Sequence, residues 1–284
     1  MRKAAETLAI TSTALNRRIL AMEEEFGVQI FERFPRGVRL SAAGEILLHH
    51  IRLQLSDMER VKSQIADLAG ERRGHVSIAC SQALLPYFLP EQISIYRTAH
   101  SAVTFGVHLR DRAAAEQALV DLSADLALVF EPVKVSDLQI LLTVRQPVYA
   151  IMRVNHPLAG GDLLRLRDCL LFPVALPTAS YGVRALLETA VQRTSLKLQP
   201  VIESDSFEFL RHQATAEDII SFQIAIGLPG SSESTKLVSR RIDERDVPAG
   251  ILYVAQLRGR TLPVAAAKFA NQILGAFTER FDCD

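Results

Sequence analysis

Cysteine is scarce in this chain of 284 residues. Cys80, Cys169 and Cys283 lie far apart, are odd in number and match no zinc-ligand spacing. That excludes a disulfide framework and predicts reduced thiols in a cytoplasmic protein, with a redox switch as the alternative. Net charge is also missing: 32 Lys and Arg balance 32 Asp and Glu. A nucleic-acid surface would therefore have to be local. No apolar run approaches the roughly 18–20 residues that span a bilayer. The opening MRKAAETLAI has two basic residues but neither the apolar core nor the cleavage site of a signal peptide. His-x-x-His, His-Glu-x-x-His, Gly-x-Ser-x-Gly and glycine-rich phosphate loops do not occur. The acidic pairs have no fixed geometry, so catalysis is not expected, nor is a metal site.

What is present reads as an ordinary globular protein long enough for two domains. Residues 2–9 have helical spacing, and Thr11 or Ser12 can cap a second helix over 13–25, where Leu15, Ile19 and Met22 recur. Gly27 stands where a helix stop belongs. Two short extended runs, over 28–31 and 33–40, flank Pro35-Arg36-Gly37 and predict a small hairpin with a basic tip. Ser41 can cap a long helix in which Leu47, Ile51, Leu55, Met58, Val61, Ile65 and Leu68 approximate a heptad stripe. Such a helix is expected to dimerise; packing on its own domain is the other possibility. Gly70–Gly74 reads as a polar hinge.

From His75 the pattern becomes βα alternation. Strands are expected at 75–80, 103–109, 125–130, 170–175, 198–203, 219–222 and 251–257. Helices are expected at 84–98, 112–122, 181–193, 206–215 and 263–281. This predicts parallel-type α/β sheets.

Helix, turn, helix and basic hairpin within about 45 residues suit a DNA reader, whose second helix enters the major groove while a wing touches phosphates. Thr11, Ser12, Thr13, Asn16, Arg17 and Arg18 are the candidate base readers, because hydroxyls, amides and guanidinium groups match base edges. Arg33, Arg36 and Arg39 are the wing candidates. A solvated basic face explains the same charges less specifically.

The run AAETLAITSTALNRRILAMEEEFGVQIFERFPRGVRLSAAGE resembles the DNA-binding segment of LysR-type transcriptional regulators. Ala4-Ala5-Glu6, Ala14-Leu15, Ile19, Glu23, Phe26-Gly27, Phe31-Glu32-Arg33 and Ala43-Gly44 fall in that family's order and spacing. The likeness continues through Leu85-Pro86, Ala124–Val129, Asn155-His156-Pro157-Leu158 and Arg258-Gly259-Arg260, and so covers nearly the whole chain. The family usually has about one more helix ahead of Ala4, which would cover part of Leu8, Leu15 and Ile19; the expectation is a misassigned start, a trimmed chain or a shortened DNA-binding domain. Ser12 stands where glutamine is common, Asn16 where serine is common, and Glu217-Asp218 where many members have glycines.

The resemblance implies a winged helix-turn-helix on 1–44, a linker and dimerisation helix on 45–73, and an effector-binding domain on 74–284. The last has the type-2 periplasmic-binding-protein-like α/β fold, with subdomain I on 74–147 and 250–284 and subdomain II on 148–249. It further implies double-stranded DNA, a small-molecule effector and a homodimer or homotetramer as partners, no membrane, and no cofactor besides the effector. By position the effector site falls on Ser81, Gln82, Phe130, Glu131, Thr178, Ser180, Tyr181, Ser204, Asp205, Ser206, Ser221 and Phe222. Ser81 and Thr178 are expected to face each other across the cleft. Plain helix capping is the competing role for each serine. The rival function is a ligand-binding, oligomerising protein whose N-terminus does not bind DNA.

Overall fold

The computed structural model describes residues 2–35, 37–68, 73–229 and 236–281, and within these the side chains of all but 66–68. Arg36, Cys283 and hinge residues 70–72 lie outside the described residues. The chain divides into two compact units, Met1–Glu59 and Arg60–Asp284.

The first unit holds α1 (Arg2–Thr7), α2 (Ser12–Phe26), the hairpin β1 (Phe31–Phe34) and β2 (Gly37–Leu40), and the start of α3 (Ala42–Leu68). Thr11, not Ser12, caps α2: its hydroxyl accepts from the Ala14 amide at 3.1 Å. Gly27 ends the helix in the left-handed conformation, φ 68°, that a residue without Cβ adopts freely. The hairpin is shorter at its start than the expected 28–40. Ile30 and Phe31 donate their amides to the Glu23 carboxylate at 2.8 and 3.0 Å, which locks the entry to β1 onto α2. Ser41 caps α3 through the Gly44 amide at 3.0 Å and donates to Gln29 O at 2.6 Å. A Cβ on Gly44 would stand 2.2 Å from Ile30 O, so only glycine fits there.

The second unit contains two mixed sheets. The strands and helices are β3 (Gly74–Cys80), α4 (Phe88–Ala99), β4 (Val103–Leu109), α5 (Arg112–Val120), β5 (Leu126–Phe130), β6 (Leu138–Gln146), β7 (Val148–Arg153), β8 (Leu163–Leu164), α6 (Leu166–Cys169), β9 (Val174–Pro177), α7 (Gly182–Gln192), β10 (Ile202–Ser204), α8 (Phe207–Ala216), β11 (Ile220–Ile224), β12 (Leu237–Ile242), β13 (Gly250–Leu257) and α9 (Val264–Arg280). Subdomain I carries the sheet β4-β3-β5-β13-β6, and subdomain II carries β10-β9-β11-β7-β12-β8. The chain crosses between them at Gln146–Val148 and again just before Gly250.

The expectation of parallel sheets needs correction. β3, β4 and β5 are parallel, as are β9, β10 and β11, but β6, β7, β12 and β13 pair antiparallel. β6 and β7 follow each other directly because they belong to different sheets, so no helix separates them to mark their boundary. The expected strand 170–175 begins only at Val174, since Leu170–Phe172 close the turn after α6. The expected helix 84–98 is a 3₁₀ turn over Gln82–Leu84, a break at Leu85–Tyr87, then α4. Gly74 opens β3 rather than serving as hinge.

α9 returns to pack on subdomain I. Phe269 meets Tyr96 and Phe105 edge-on at 5.4 and 4.9 Å, and Phe277 stacks on Phe88 at 4.2 Å. Each buried Phe contributes about 1.5–3 kcal/mol of transfer free energy. The buried pair Arg260–Asp125, at 2.7 Å, ties the strand-to-helix turn before α9 to β5. Cys80 and Cys169 are buried among apolar neighbours, and burial pushes each thiol up to about 12. Both stay protonated and unreactive at neutral pH.

Candidate DNA-reading and effector sites

In the first unit, Thr11, Ser12 and Thr13 are exposed at the start of α2, and Arg17 and Arg18 are exposed one turn on. Thr11 spends its acceptor on the cap. Asn16 Oδ1 accepts from Arg33 Nη2 at 2.9 Å, so the second helix holds a wing arginine in place. Arg39 pairs with Glu32 across the hairpin at 2.8 Å and lies over the Phe34 ring at 5.4 Å. Arg17 and Arg18 make no bond to other described residues, whereas Arg33 and Arg39 are already oriented. α2 buries none of its residues, and Leu8 is 59% exposed, while Leu15 and Ile19 are half-buried. Along α3, Ile51, Leu55, Met58, Val61 and Ile65 are exposed, Leu55 by 63%. Leu68, the last member of the stripe, has an undescribed side chain.

In the second unit, the strand ends of both sheets border one cleft. Gln82 crosses it. Its Oε1 accepts from the Phe207 amide at 2.7 Å, and its Nε2 donates to Asp205 O and, at 3.4 Å, to Tyr181 Oη. Burial raises the Tyr181 phenol above its ordinary value, which keeps it neutral. The serine roles divide. Ser206 is a true helix cap, accepting from the Phe209 amide at 3.2 Å, and Ser204 Oγ accepts from the Ser206 amide at 3.1 Å. Ser81 makes no side-chain cap bond, and Thr178 Oγ1 lies 3.2 Å from Ser180 Oγ. Gln82 spans the cleft to Tyr181, Asp205 and Phe207, and Arg211 Nη1 donates to Tyr87 Oη at 3.5 Å; no hydrogen bond joins Ser81 to Thr178. Glu131 is held at φ 53° and accepts from the Ile251 amide at 2.7 Å through its carboxylate, so its charge is spent within the fold. Phe130 is buried behind it.

A cavity of about 140 Å³ opens beside Gln82. Of the expected residues Gln82, Ser221 and Phe222 line it; Ser81, Phe130, Glu131, Thr178, Ser180, Tyr181, Ser204, Asp205 and Ser206 do not. Tyr87, Ile151, Phe207, Arg211 and Gln223 complete much of the wall and were not anticipated. Arg211 stands in a bidentate pair with Glu208 at 2.7 and 3.0 Å. Ser221 Oγ and Gln223 Nε2 are on buried residues and bond to no described group. Also unanticipated is Arg112, which donates to Glu131 O at the rim. The one signal for Gln223 is that, with Ser221, it is a polar residue in a strand of otherwise apolar residues.

A basic winged helix-turn-helix followed by a two-sheet domain with a cleft defines a DNA-binding regulator with a ligand-sensing domain. Residues 1–45 match the family model for the bacterial regulatory helix-turn-helix protein, lysR family, and residues 69–278 match the LysR substrate binding domain. The chain belongs to the LysR family of transcription regulators, and is not an enzyme. It is 28% identical over 279 residues to the uncharacterized HTH-type transcriptional regulator YbhD of Escherichia coli K12, covering 98% of this chain and 83% of that one. The fold is similar to a full-length OxyR variant from Pseudomonas aeruginosa (TM-score 0.72, 18% identity, 95% of this chain and 88% of that). It is also similar to the effector binding domain of QuiR in complex with shikimate (TM-score 0.63, 17% identity, 74% of this chain and all of that). Among the described residues no helix is long and apolar enough to cross a membrane.

Proposed function

We propose that this regulator, working in the cytoplasm as a homo-oligomer, senses a small polar molecule in the cavity beside Gln82. The observation that carries the reading is the pair Ser221 Oγ and Gln223 Nε2, which belong to the cavity wall and have no partner among the described residues. A ligand that accepts from the amide and exchanges a hydrogen bond with the hydroxyl would engage both. Phe207 lies at the N-terminus of α8, where amides and the helix dipole favour negative charge. A small hydroxylated carboxylate combines these features; shikimate, bound by the QuiR domain, is of that chemistry. Such a ligand would compete with Gln82 for the Phe207 amide and so shift the balance between closed and open subdomains. The exposed stripe on α3 supports self-association, and exposed Arg17 and Arg18 support base readout.

The test is calorimetric melting of the full chain against a panel of hydroxylated carboxylates. A stabilising compound whose effect is lost in Gln223→Leu, with apo melting retained, supports the reading; an effect retained in that variant contradicts the placement.

A further inference from the structure

The cleft cavity is not the roomiest on subdomain II. A cavity of about 550 Å³ lies between the C-terminal half of α7, the start of α6 and the loop that leads back toward β13. Four arginines line it, Arg165, Arg167, Arg193 and Arg245, against a single carboxylate, Asp246. Its remaining wall is mostly apolar, including Leu166, Leu186, Ala190 and Leu196.

The arginines are prepared in two ways. Arg165 and Arg245 are oriented by carboxylates. Arg165 gives Nε and Nη2 to Asp246 at 2.7 and 2.6 Å, and Arg245 gives Nε to both oxygens of buried Asp243 at 3.0 Å. In each, Nη1 has no partner among the described residues. Arg167 and Arg193 are exposed and far less committed. Arg167 has Asp168 alone, at 3.5 Å, and Arg193 makes no side-chain bond to a described residue. A planar fork with spare donors beside an apolar wall suits an anionic group carried on a hydrocarbon or aromatic body.

We propose that this cavity is a second small-molecule site, distinct from the cleft, that takes an organic anion with an apolar body, either a phosphate ester or a carboxylate. The position gives it access to the cleft. α7 presents Leu186 and Ala190 to the cavity while its cap, Tyr181, bonds Gln82 in the cleft. Leu186 also abuts the second crossing: a Cβ on Gly250 would stand 2.7 Å from Leu186 Cδ1 and 2.3 Å from Phe130 Cζ. A molecule pressed against Leu186 thus touches the helix and the crossing that set the cleft.

Isothermal titration of the full chain with phenyl phosphate, benzoate and inorganic phosphate tests this. Saturable binding of phenyl phosphate or benzoate is expected, the tighter of the two telling phosphate from carboxylate, with inorganic phosphate at least about tenfold weaker. The double variant Arg167→Gln, Arg193→Gln changes only exposed side chains; it should keep its melting temperature and lose about tenfold in affinity. Gln82→Ala, altered in the cleft, should still bind saturably, with a smaller change in affinity than the double variant shows. Three results would overturn the proposal: no saturable binding of either aromatic anion, unchanged affinity in the double variant, or inorganic phosphate binding as tightly as the aromatic anions. Loss of binding in Gln82→Ala alone would place the anion in the cleft and also overturn it.

Discussion

Gln82 of subdomain I accepts a hydrogen bond from the Phe207 amide of subdomain II at 2.7 Å. A side chain thereby occupies the helix N-terminal donor that a bound anion would otherwise use. The glutamine acts as an internal stand-in for ligand and holds the two subdomains together at the cleft.

Replacing it should loosen that closure. In Gln82→Ala the Phe207 amide loses its acceptor, and a hydrogen bond of this kind contributes about 0.5–1.5 kcal/mol. Amide hydrogen exchange at Phe207 is expected to accelerate, with the α9 core unaffected. Unchanged exchange at Phe207 would mean that the contact does not hold the cleft.

The wing offers a second prediction. Asn16 holds Arg33, so Asn16→Ala should free the wing arginine while keeping its charge. DNA affinity should fall in both Asn16→Ala and Arg33→Ala. Only Arg33→Ala should also lower the slope of log affinity against log salt, by about one unit, because one phosphate contact disappears. Identical slopes in the two variants would contradict the assignment of Arg33 to phosphate.

Acid should act on the Asp243–Arg245 pair. The guanidinium of Arg245 and its backbone amide hold the Asp243 carboxyl down at about 2. A depressed carboxyl stabilises the fold above its unfolded value of about 3.9 and loses that contribution as pH falls through the folded value. Asp243→Asn should therefore melt below wild type at neutral pH, with the gap closing from about pH 4 to pH 2. A gap that persists unchanged at pH 2 would show that the pair is not electrostatic in effect.

The stripe on α3 predicts assembly. Leu55→Asp with Ile51→Asp puts charge where a partner helix would bury it, which is costly. Light scattering should report a smaller species. An unchanged mass would remove this stripe from the interface.

The reading helix, its glycine stop, the wing and the long helix were legible because local rules govern them. Thr11 and Ser41 cap, Gly27 takes a positive φ, and apolar residues recur at helical spacing. The two-sheet architecture was legible through family motifs, and the structure supplies a physical reason for one of them: Arg260 of the terminal motif neutralises buried Asp125. What escaped depends on long-range pairing. β6 follows β5 and β7 follows β6 with no helix between them, so alternation gave them no boundary. The cavity wall joins Gln82, Arg211 and Gln223, distant in sequence, and no local pattern brings such residues together. Several serines at strand ends looked alike, yet Ser206 caps a helix and Ser221 faces a cavity. Ser206 directly precedes α8, whereas Ser221 lies within β11 opposite Ile151 of β7.

Selection of bound duplexes from a random DNA pool by the full chain shows whether this regulator reads DNA sequence. The expected outcome is enrichment of a site with two related half-sites, bound more weakly as salt rises and with an affinity altered by the cleft ligand. Failure to enrich any sequence would contradict it and leave a ligand-binding, oligomerising protein that does not read DNA.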